Sequence, residues 1–338
     1  MASNDIRSSQ PTRREMFLAG GLTTAAAAVA AAAWSVAPLA GTSVSAAQAQ
    51  PAEKPKSRRF ALNTGTLLGY NLSIEEEIAV TAQAGYDGIE IWIMRLERYL
   101  NEGKSAADLK KRIDDSGLKV ENAIGFASWI VDDEDARTRG LEQMKREMGW
   151  LAQIGCPHIA APASGATGKR IDDLEACGRR YRAILELGDR EGVTPILEQW
   201  GGSATLQKLP DVAAIAMLAV HPKAAFLLDA YHHYKGGNDY VGIGLLNGRA
   251  MPVFHINDYP ADPPRETIAD KDRVFPGDGV CPFDVLLPTL EAVGFDGVMS
   301  LELFNQDYVR TMTPLELAKT GLDKMRALYP SCLETPIA

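Results

Sequence analysis

The chain has 338 residues, 46% of them hydrophobic and 23% charged, with a formal net charge of -9. This composition suits a globular protein with a substantial core, and the length admits either two domains or one large α/β barrel. The acidic balance excludes an electrostatic surface for polyanions, so nucleic acid is not an expected partner.

The first segment stands apart. Residues 11–50, PTRREMFLAGGLTTAAAAVAAAAWSVAPLAGTSVSAAQAQ, open on Arg13 and Arg14, continue as an Ala-rich apolar run and end in small residues. That order of charged, apolar and cleavable stretches marks an export signal. The paired arginines indicate the twin-arginine (Tat) route, although Met16 stands where Phe is usual and Phe17 follows one place later. Ala47-Gln48-Ala49 offers an A-x-A site, so cleavage is expected before Gln50 and the protein is expected to be exported to the periplasm. An uncleaved membrane anchor is the competing reading, but Gly, Thr and Pro interrupt the run, and no stable span is expected after cleavage. Removal of residues 1–49 leaves 338 − 49 = 289, close to the usual size of one (β/α)8 barrel. Residues 50–57, QPAEKPKS, read as a polar linker, 58–330 as the barrel domain and 331–338 as a C-terminal tail.

From residue 58 the chain alternates short apolar runs with longer amphipathic ones. The expected strands are RFALNTG, GIEIWI, KVENAIGF, HIAAPA, TPILEQW, AAFLLDAY, MPVFHIND and GVMSLELF. The expected helices are SIEEEIAVTAQAG, SAADLKKRIDDSG, ARTRGLEQMKREMGWLAQIG, DDLEACGRRYRAILELGDREG, LPDVAAIAMLAVH, PFDVLLPTLEAVG and TPLELAKTGLDKMRAL, with apolar residues three or four apart. Ser73 and Glu76 have the spacing of a capping box. Eight strands alternating with helices predict an α/β fold, a single-domain (β/α)8 TIM barrel. An open doubly wound sheet competes, but no GxGxxG follows the first strand, where the chain reads NTGTLLGYNLS. Cys156, Cys177, Cys281 and Cys332 are widely spaced without C-x-x-C, and read as buried or incidental thiols because Tat cargo folds in a reducing compartment.

In such a barrel, polar groups at the C-terminal strand ends converge on one pocket. Strand five ends in Glu198, strand six in Asp229, strand seven carries His255 and strand eight Glu302, each flanked by apolar residues. One strand-end carboxylate is most often a helix cap or an arginine partner. Four ligand-type side chains on consecutive strands, where an unpaired charge is costly, instead suit one divalent metal ion. Mn2+, Mg2+, Co2+ and Zn2+ are all compatible with these ligand types. His232, three residues after Asp229, is placed to donate to a substrate hydroxyl, whereas its neighbour His233 reads as a surface residue or a support behind the site. Arg273, in ADKDRVFPGDG, has three readings: a substrate contact, a residue that orders Asp258, or a surface ion pair. Trp92 and Trp200 either wall the pocket or belong to the core. His158 and His221 precede their strands and read as structural.

These residues resemble the xylose isomerase-like TIM barrels of the sugar phosphate isomerase/epimerase superfamily. The likeness spans the chain from residue 58 and is most specific over residues 253–310. There VFHINDYPADPPRETIADKDRVFPGDGV and LEAVGFDGVMSLELFNQDY are similar to the inosose (2-keto-myo-inositol) isomerases, as LLDAYHHYKGG is to their Asp-x-x-His…Gly-Gly segment. The resemblance implies that Glu198, Asp229, His255 and Glu302 bind one metal, and that Glu198 and Glu302 act as acid and base beside a bound sugar. Proton transfer through a cis-enediolate is the expected chemistry, with a keto-sugar or inosose as small-molecule substrate. A lyase or dehydratase acting on a 3-keto-glycoside, and a non-catalytic sugar-binding barrel, are the alternatives. Superfamily members that cut DNA with three zinc ions also need histidines on strands two and three, and IEIWIM and ENAIGF have none. Related barrels often pair, so a homodimer is possible.

Overall fold

The computed structural model describes residues 58–329, so the readings of residues 1–49, 50–57 and 331–338 lie outside the described residues. Eight short strands are β1 Arg59–Asn63, β2 Gly88–Trp92, β3 Lys119–Ile124, β4 His158–Ala161, β5 Thr194–Glu198, β6 Phe226–Asp229, β7 Val253–His255 and β8 Val298–Leu301. Each pairs in parallel with the next, and β8 returns to β1 with Val298 opposite Arg59, closing the barrel. The expected (β/α)8 architecture is therefore observed. Among the described residues no helix is long and apolar enough to cross a membrane.

Strand alternation sorts the side chains into two sets. Leu62, Ile89, Ile91, Leu228, Phe254 and Leu301 pack outward into one core with helix residues such as Ile78, Leu109 and Met144. Ala61, Ile124, Ala160, Ile196, Leu227, Val253 and Val298 form a second cluster that fills the barrel. Ala225 belongs to it as well, and these three alanines give a closed eight-stranded barrel room to pack. The same inward parity then carries Glu90 within β2 and Asn63, Glu198, Asp229 and His255 at the ends of β1, β5, β6 and β7, and all five are buried.

All seven expected helices form, and Ser73 and Glu76 make both halves of the capping box. Three further helices were not among those expected from the sequence. Ile93–Asn101 follows β2 with no turn residue between, and its cap, Trp92, contributes no capping side-chain hydrogen bond. Ala230–Lys235 starts at Asp229, whose Oδ1 accepts from the His232 N–H at 2.7 Å. Gln306–Thr311 is capped by Asn305 just past the last strand. Cys156, Cys177 and Cys281 are buried free thiols, as expected.

The loop after β7 is stapled by one side chain. Asp258 Oδ1 accepts from the N–H groups of Tyr259 and Cys281 at 2.7 and 2.9 Å, and Oδ2 from those of Gly277 and Gly279 at 3.0 and 2.9 Å. A Cβ at Gly279 would lie 2.4 Å from Asp258 Oδ1, so glycine is required there. Asp258 also pairs with Val274 in an antiparallel bridge, which fixes the backbone beside Arg273. The idea that Arg273 orders Asp258 is thereby corrected: backbone donors satisfy Asp258.

Candidate active site

The C-terminal end of the barrel opens into a cavity of about 360 Å³ lined by Trp92, Ile124, Phe126, Glu198, Trp200, His232, Asp270, Lys271, Arg273, Glu302, Phe304 and Gln306. Six of the eight sequence-predicted site residues line it, Glu198, His232, Arg273, Glu302, Trp92 and Trp200, while Asp229 touches Arg273 at 3.2 Å. His255 is fully buried beneath them, with Nδ1 3.4 Å from Glu302 Oε2 and 3.6 Å from Asp229 Oδ2.

Arg273 is no surface ion pair. Its guanidinium is buried, with Nη1 donating to Glu302 Oε2 at 2.9 Å and to Asp229 Oδ2 at 3.2 Å. Nη2 donates to Asp270 Oδ1 at 2.5 Å and to His232 Nε2 at 2.9 Å. The contact leaves Nε2 of His232 as the acceptor and its Nδ1 without a partner. Burial first, and then the Arg273 charge, push the His232 pKa down to about 4, so its ring is neutral at physiological pH. Burial alone would raise the Asp229 pKa, but Arg273 outweighs it and holds that carboxyl well below its usual range.

His233 is no surface residue but a support behind the site. It is fully buried, with Nδ1 2.9 Å from Gln199 Oε1 and its ring 4.9 Å from that of Tyr240. The short helix turns successive residues to different sides, so His232 enters the cavity and His233 the core. His158 and His221 stay away from the site: their ring nitrogens meet the Glu121 carbonyl and the Asp189 carboxylate.

Strands β1 and β2 supply support that the sequence reading missed. Glu90 is fully buried, and its two oxygens lie 3.0 and 3.2 Å from His255 Nε2. It also accepts from Asn122 Nδ2 at 2.7 Å. This contact places a proton on Nε2 and turns Nδ1 toward Asp229 and Glu302. Burial would lower the His255 pKa, yet Glu90 and then Glu302 outweigh it and raise it well above the usual value. Asn63 Nδ2 donates to Glu302 Oε1 at 3.0 Å, while its Oδ1 accepts from Trp92 Nε1 and the Gly65 N–H at 2.9 and 2.8 Å. A Cβ at Gly65 would sit 2.9 Å from both Asn63 Oδ1 and Trp92 Nε1, so a glycine preserves this contact. Parity held the clue: Glu90 lies two residues before Trp92 on the same face of the strand, and Trp92 lines the cavity.

The donor set fits a divalent ion. Glu198 Oε2 and His255 Nδ1 are buried without a hydrogen-bond partner, as ligand atoms are before an ion arrives. Single donor atoms of Asp229, His232 and Glu302 lie within 4.8 Å of one another. That triad shares Asp229 and Glu302 with the four ligands expected from sequence and adds His232. Three carboxylates with imidazole nitrogen suit Mn2+, Mg2+, Co2+ or Zn2+.

Residues 78–328 match the xylose isomerase-like TIM barrel family, and the chain belongs to it. Inosose isomerase of Bacillus velezensis is 26% identical over 275 residues, covering 80% of this chain and 96% of that protein. 3-Dehydroshikimate dehydratase of Pseudomonas aeruginosa is 26% identical over 244 residues, which is 70% of this chain and 37% of that longer one. Among solved structures, the IOLI protein with a bound zinc atom superposes with a TM-score of 0.76 at 23% identity, covering 82% of this chain and 100% of that one. The relatives with assigned activities thus include an isomerase and a dehydratase on one barrel.

Two outcomes are expected. Glu90→Leu should weaken Mn2+ or Zn2+ binding by about 10- to 100-fold, the usual cost of losing a carboxylate behind a ligating histidine, while Glu90→Gln keeps an acceptor for Nε2 and most of the affinity. Competition against a chromogenic chelator reads this, and equal affinities in all three proteins would remove Glu90 from the support of the site. Secondly, burial and then the Glu302 charge raise the Glu198 pKa from 4.5 to about 8, so the folded state holds a proton that the unfolded state releases. Its contribution to stability is full below pH 4.5 and lost as pH rises through about 8. Chelator-treated protein should therefore lose thermal stability over that window, and Glu198→Gln should flatten the loss in a melting series.

Proposed function

We propose that the protein is a divalent-metal-dependent isomerase or epimerase of a keto-sugar or inosose, working by proton transfer through a cis-enediolate. The observation that carries this reading is the unlike pair of carboxyl groups in one cavity. Glu198 is buried, has an unpartnered Oε2 and, before an ion enters, is raised to about 8 by burial and the Glu302 charge. Glu302 accepts from Asn63 on one oxygen and from Arg273 on the other, the hydrogen bonding of a proton acceptor. An unpartnered, raised carboxyl group facing one held by two donors can divide acid and base work with it.

Glu198, Asp229, His255 and Glu302 would hold the ion, with His232 beside them, and the inosose isomerase and zinc-bound IOLI likenesses favour that assignment. When bound, the ion would act as a Lewis acid toward a carbonyl and its neighbouring hydroxyl. Glu302 removes the proton from the carbon next to the carbonyl. The C–H electron pair becomes a C=C bond, and the carbonyl π pair moves onto oxygen, giving the enediolate. Arg273 and the neutral ring of His232 face that oxygen's side of the cavity and orient the substrate hydroxyls. Glu198 then returns a proton to carbon. Delivery to the former carbonyl carbon, with the hydroxyl proton passing between the two oxygens, moves the carbonyl along the chain. Delivery to the opposite face of the original carbon inverts it.

A second reading draws support from the dehydratase relative. The same enolised substrate can expel a β-hydroxyl as water, with Glu198 supplying the proton to the leaving oxygen.

Incubation with a panel of inososes and keto-sugars in D2O is the test. Deuterium is expected at the carbon beside the carbonyl, with Glu198→Gln and Glu302→Gln each slowing exchange by about 10²- to 10⁴-fold. Turnover without any solvent deuterium would sink the proton-transfer mechanism; turnover with a new C=C and released water would select the dehydratase.

We also propose that residues 1–49 direct export by the twin-arginine route, a reading supported by the sequence alone. Replacing both Arg13 and Arg14 by Lys should leave the full-length protein unprocessed in the cytoplasm, as read by cell fractionation. Unchanged export would refute the route.

A further inference from the structure

Resting on the keto-sugar reading above, we propose that Tyr231 and Phe304 are positioning residues of the reaction: their rings hold the guanidinium of Arg273 against twisting, and through it the carboxylate of Glu302. Trp92, Ile124 and Phe126 form an apolar wall of the cavity, and Glu198, His232, Arg273 and Glu302 its polar floor. Phe304 lines the same cavity, yet its ring belongs to the floor. Arg273 Cζ stands over the Phe304 ring, 5.1 Å from its centre, and over the Tyr231 ring at 4.5 Å.

The two rings share an origin in the sequence. Tyr231 lies two residues after Asp229, and Phe304 two residues after Glu302, where the chain leaves β6 and β8. Each of these strand exits therefore supplies Arg273 with a carboxylate at the guanidinium edge and a ring against its face. The edge contacts are shared ones. Nη1 serves both Asp229 and Glu302, Nη2 serves both Asp270 and His232, and Nε finds no acceptor. Hydrogen bonds in the plane of the group resist sliding better than twisting. A ring over the face resists twisting, and it also attracts the cation. Arg273 is fully buried, so solvent does not screen that attraction.

The two rings are held differently. The Tyr231 N–H donates to Asn257 Oδ1 at 2.9 Å and its hydroxyl to the Ile268 carbonyl at 3.2 Å. Phe304 has no polar handle and rests edge-on against Trp92, with ring centres 6.0 Å apart at 71°. It is the ring whose replacement disturbs the fewest other contacts. If the guanidinium twists, Nη1 leaves Glu302 Oε2, and that carboxylate keeps only its Asn63 contact. The base then spends less time aligned with the substrate carbon, which lowers kcat more than it alters KM.

The test has one readout that needs no substrate and one that does. In protein labelled with 15N-arginine, NMR reads the rotation of the Arg273 guanidinium about its Cζ–Nε bond, the signal being assigned by its loss in Arg273→Lys. Phe304→Leu should speed that rotation about tenfold, while Phe304→Tyr, which keeps the ring, stays close to the natural chain. Unchanged rotation in Phe304→Leu would overturn the inference whatever the protein catalyses. In the D2O exchange assay, Phe304→Leu should lower kcat about tenfold with KM within about twofold, and Phe304→Tyr should restore it. In the Arg273→Lys background the same substitution should cost less than about twofold. An undiminished loss there would assign Phe304 to packing on Trp92 and overturn the inference, as would an unchanged kcat in Phe304→Leu. Slow rotation in the natural chain without exchange of any keto-sugar or inosose would remove the functional reading and the catalytic consequence together, and leave the hold on Arg273 standing.

Discussion

Four carboxyl groups, Glu90, Glu198, Asp229 and Glu302, are buried at one end of a barrel, and everything around them answers to that charge. Each ion taken from water costs several kcal/mol even after relaxation, so the arrangement is stable only if cations or protons enter with them. Three devices meet that demand. Arg273 donates to Asp229 and Glu302 through one nitrogen. His255 lies between Glu90 on one side and Asp229 and Glu302 on the other. Glu198, which no cation touches directly, is raised to about 8 by burial and by Glu302. The carboxyl group left without a countercharge is the one that keeps a proton, and this is what makes the pair of glutamates chemically unequal.

The scaffold serves the same demand. Arg273 does not come from a strand. It sits in the long loop after β7, and its position depends on Asp258, whose two oxygens collect four backbone N–H groups and close the loop on itself. A buried guanidinium on an unrestrained loop would lose much of its Coulomb gain to the entropy of ordering. Asp258 supplies that order ahead of time, at some distance from the reacting groups. Asp270 completes the arrangement by accepting from the second guanidinium nitrogen, which fixes the plane of Arg273 toward His232.

How much of this was legible in the sequence depended on where each side chain lay along its strand. Glu198, Asp229, His255 and Glu302 stood out because each closes or follows a run of apolar residues, where a charge has no bland explanation. The barrel followed from the alternation of strands and helices. Glu90 and Asn63 were hidden for the opposite reason: a polar residue inside a short strand is what half-exposed alternation also produces, and only closure of the barrel makes its inner face dry. Arg273 was ambiguous because its neighbours in ADKDR offered surface partners, and its true partners lie 29 and 44 residues away. The choice between the two readings of His233 was open because the sequence does not show how the short helix beginning at Asp229 turns it into the core. Phe126 and Phe304 follow their strands by a residue or more, where sequence pattern carries no facing information.

The two halves of the barrel consequently divide the labour. Strands β5 to β8 contribute the groups that can take up a cation or a proton, while β1 and β2 contribute Asn63, Glu90 and Trp92, which hold those groups from the far side. Closure between β8 and β1 joins the halves: Leu62 pairs with Leu301, which puts Asn63 within 3.0 Å of Glu302. Through that one amide the floor is coupled to the wall, because Asn63 gives its N–H to the carboxylate and receives the indole N–H of Trp92 on its oxygen. A change in the ring packed against Trp92 would therefore be felt at Glu302 across two hydrogen bonds. The aromatic wall is thus placed to influence the chemistry as well as the fit of what binds there.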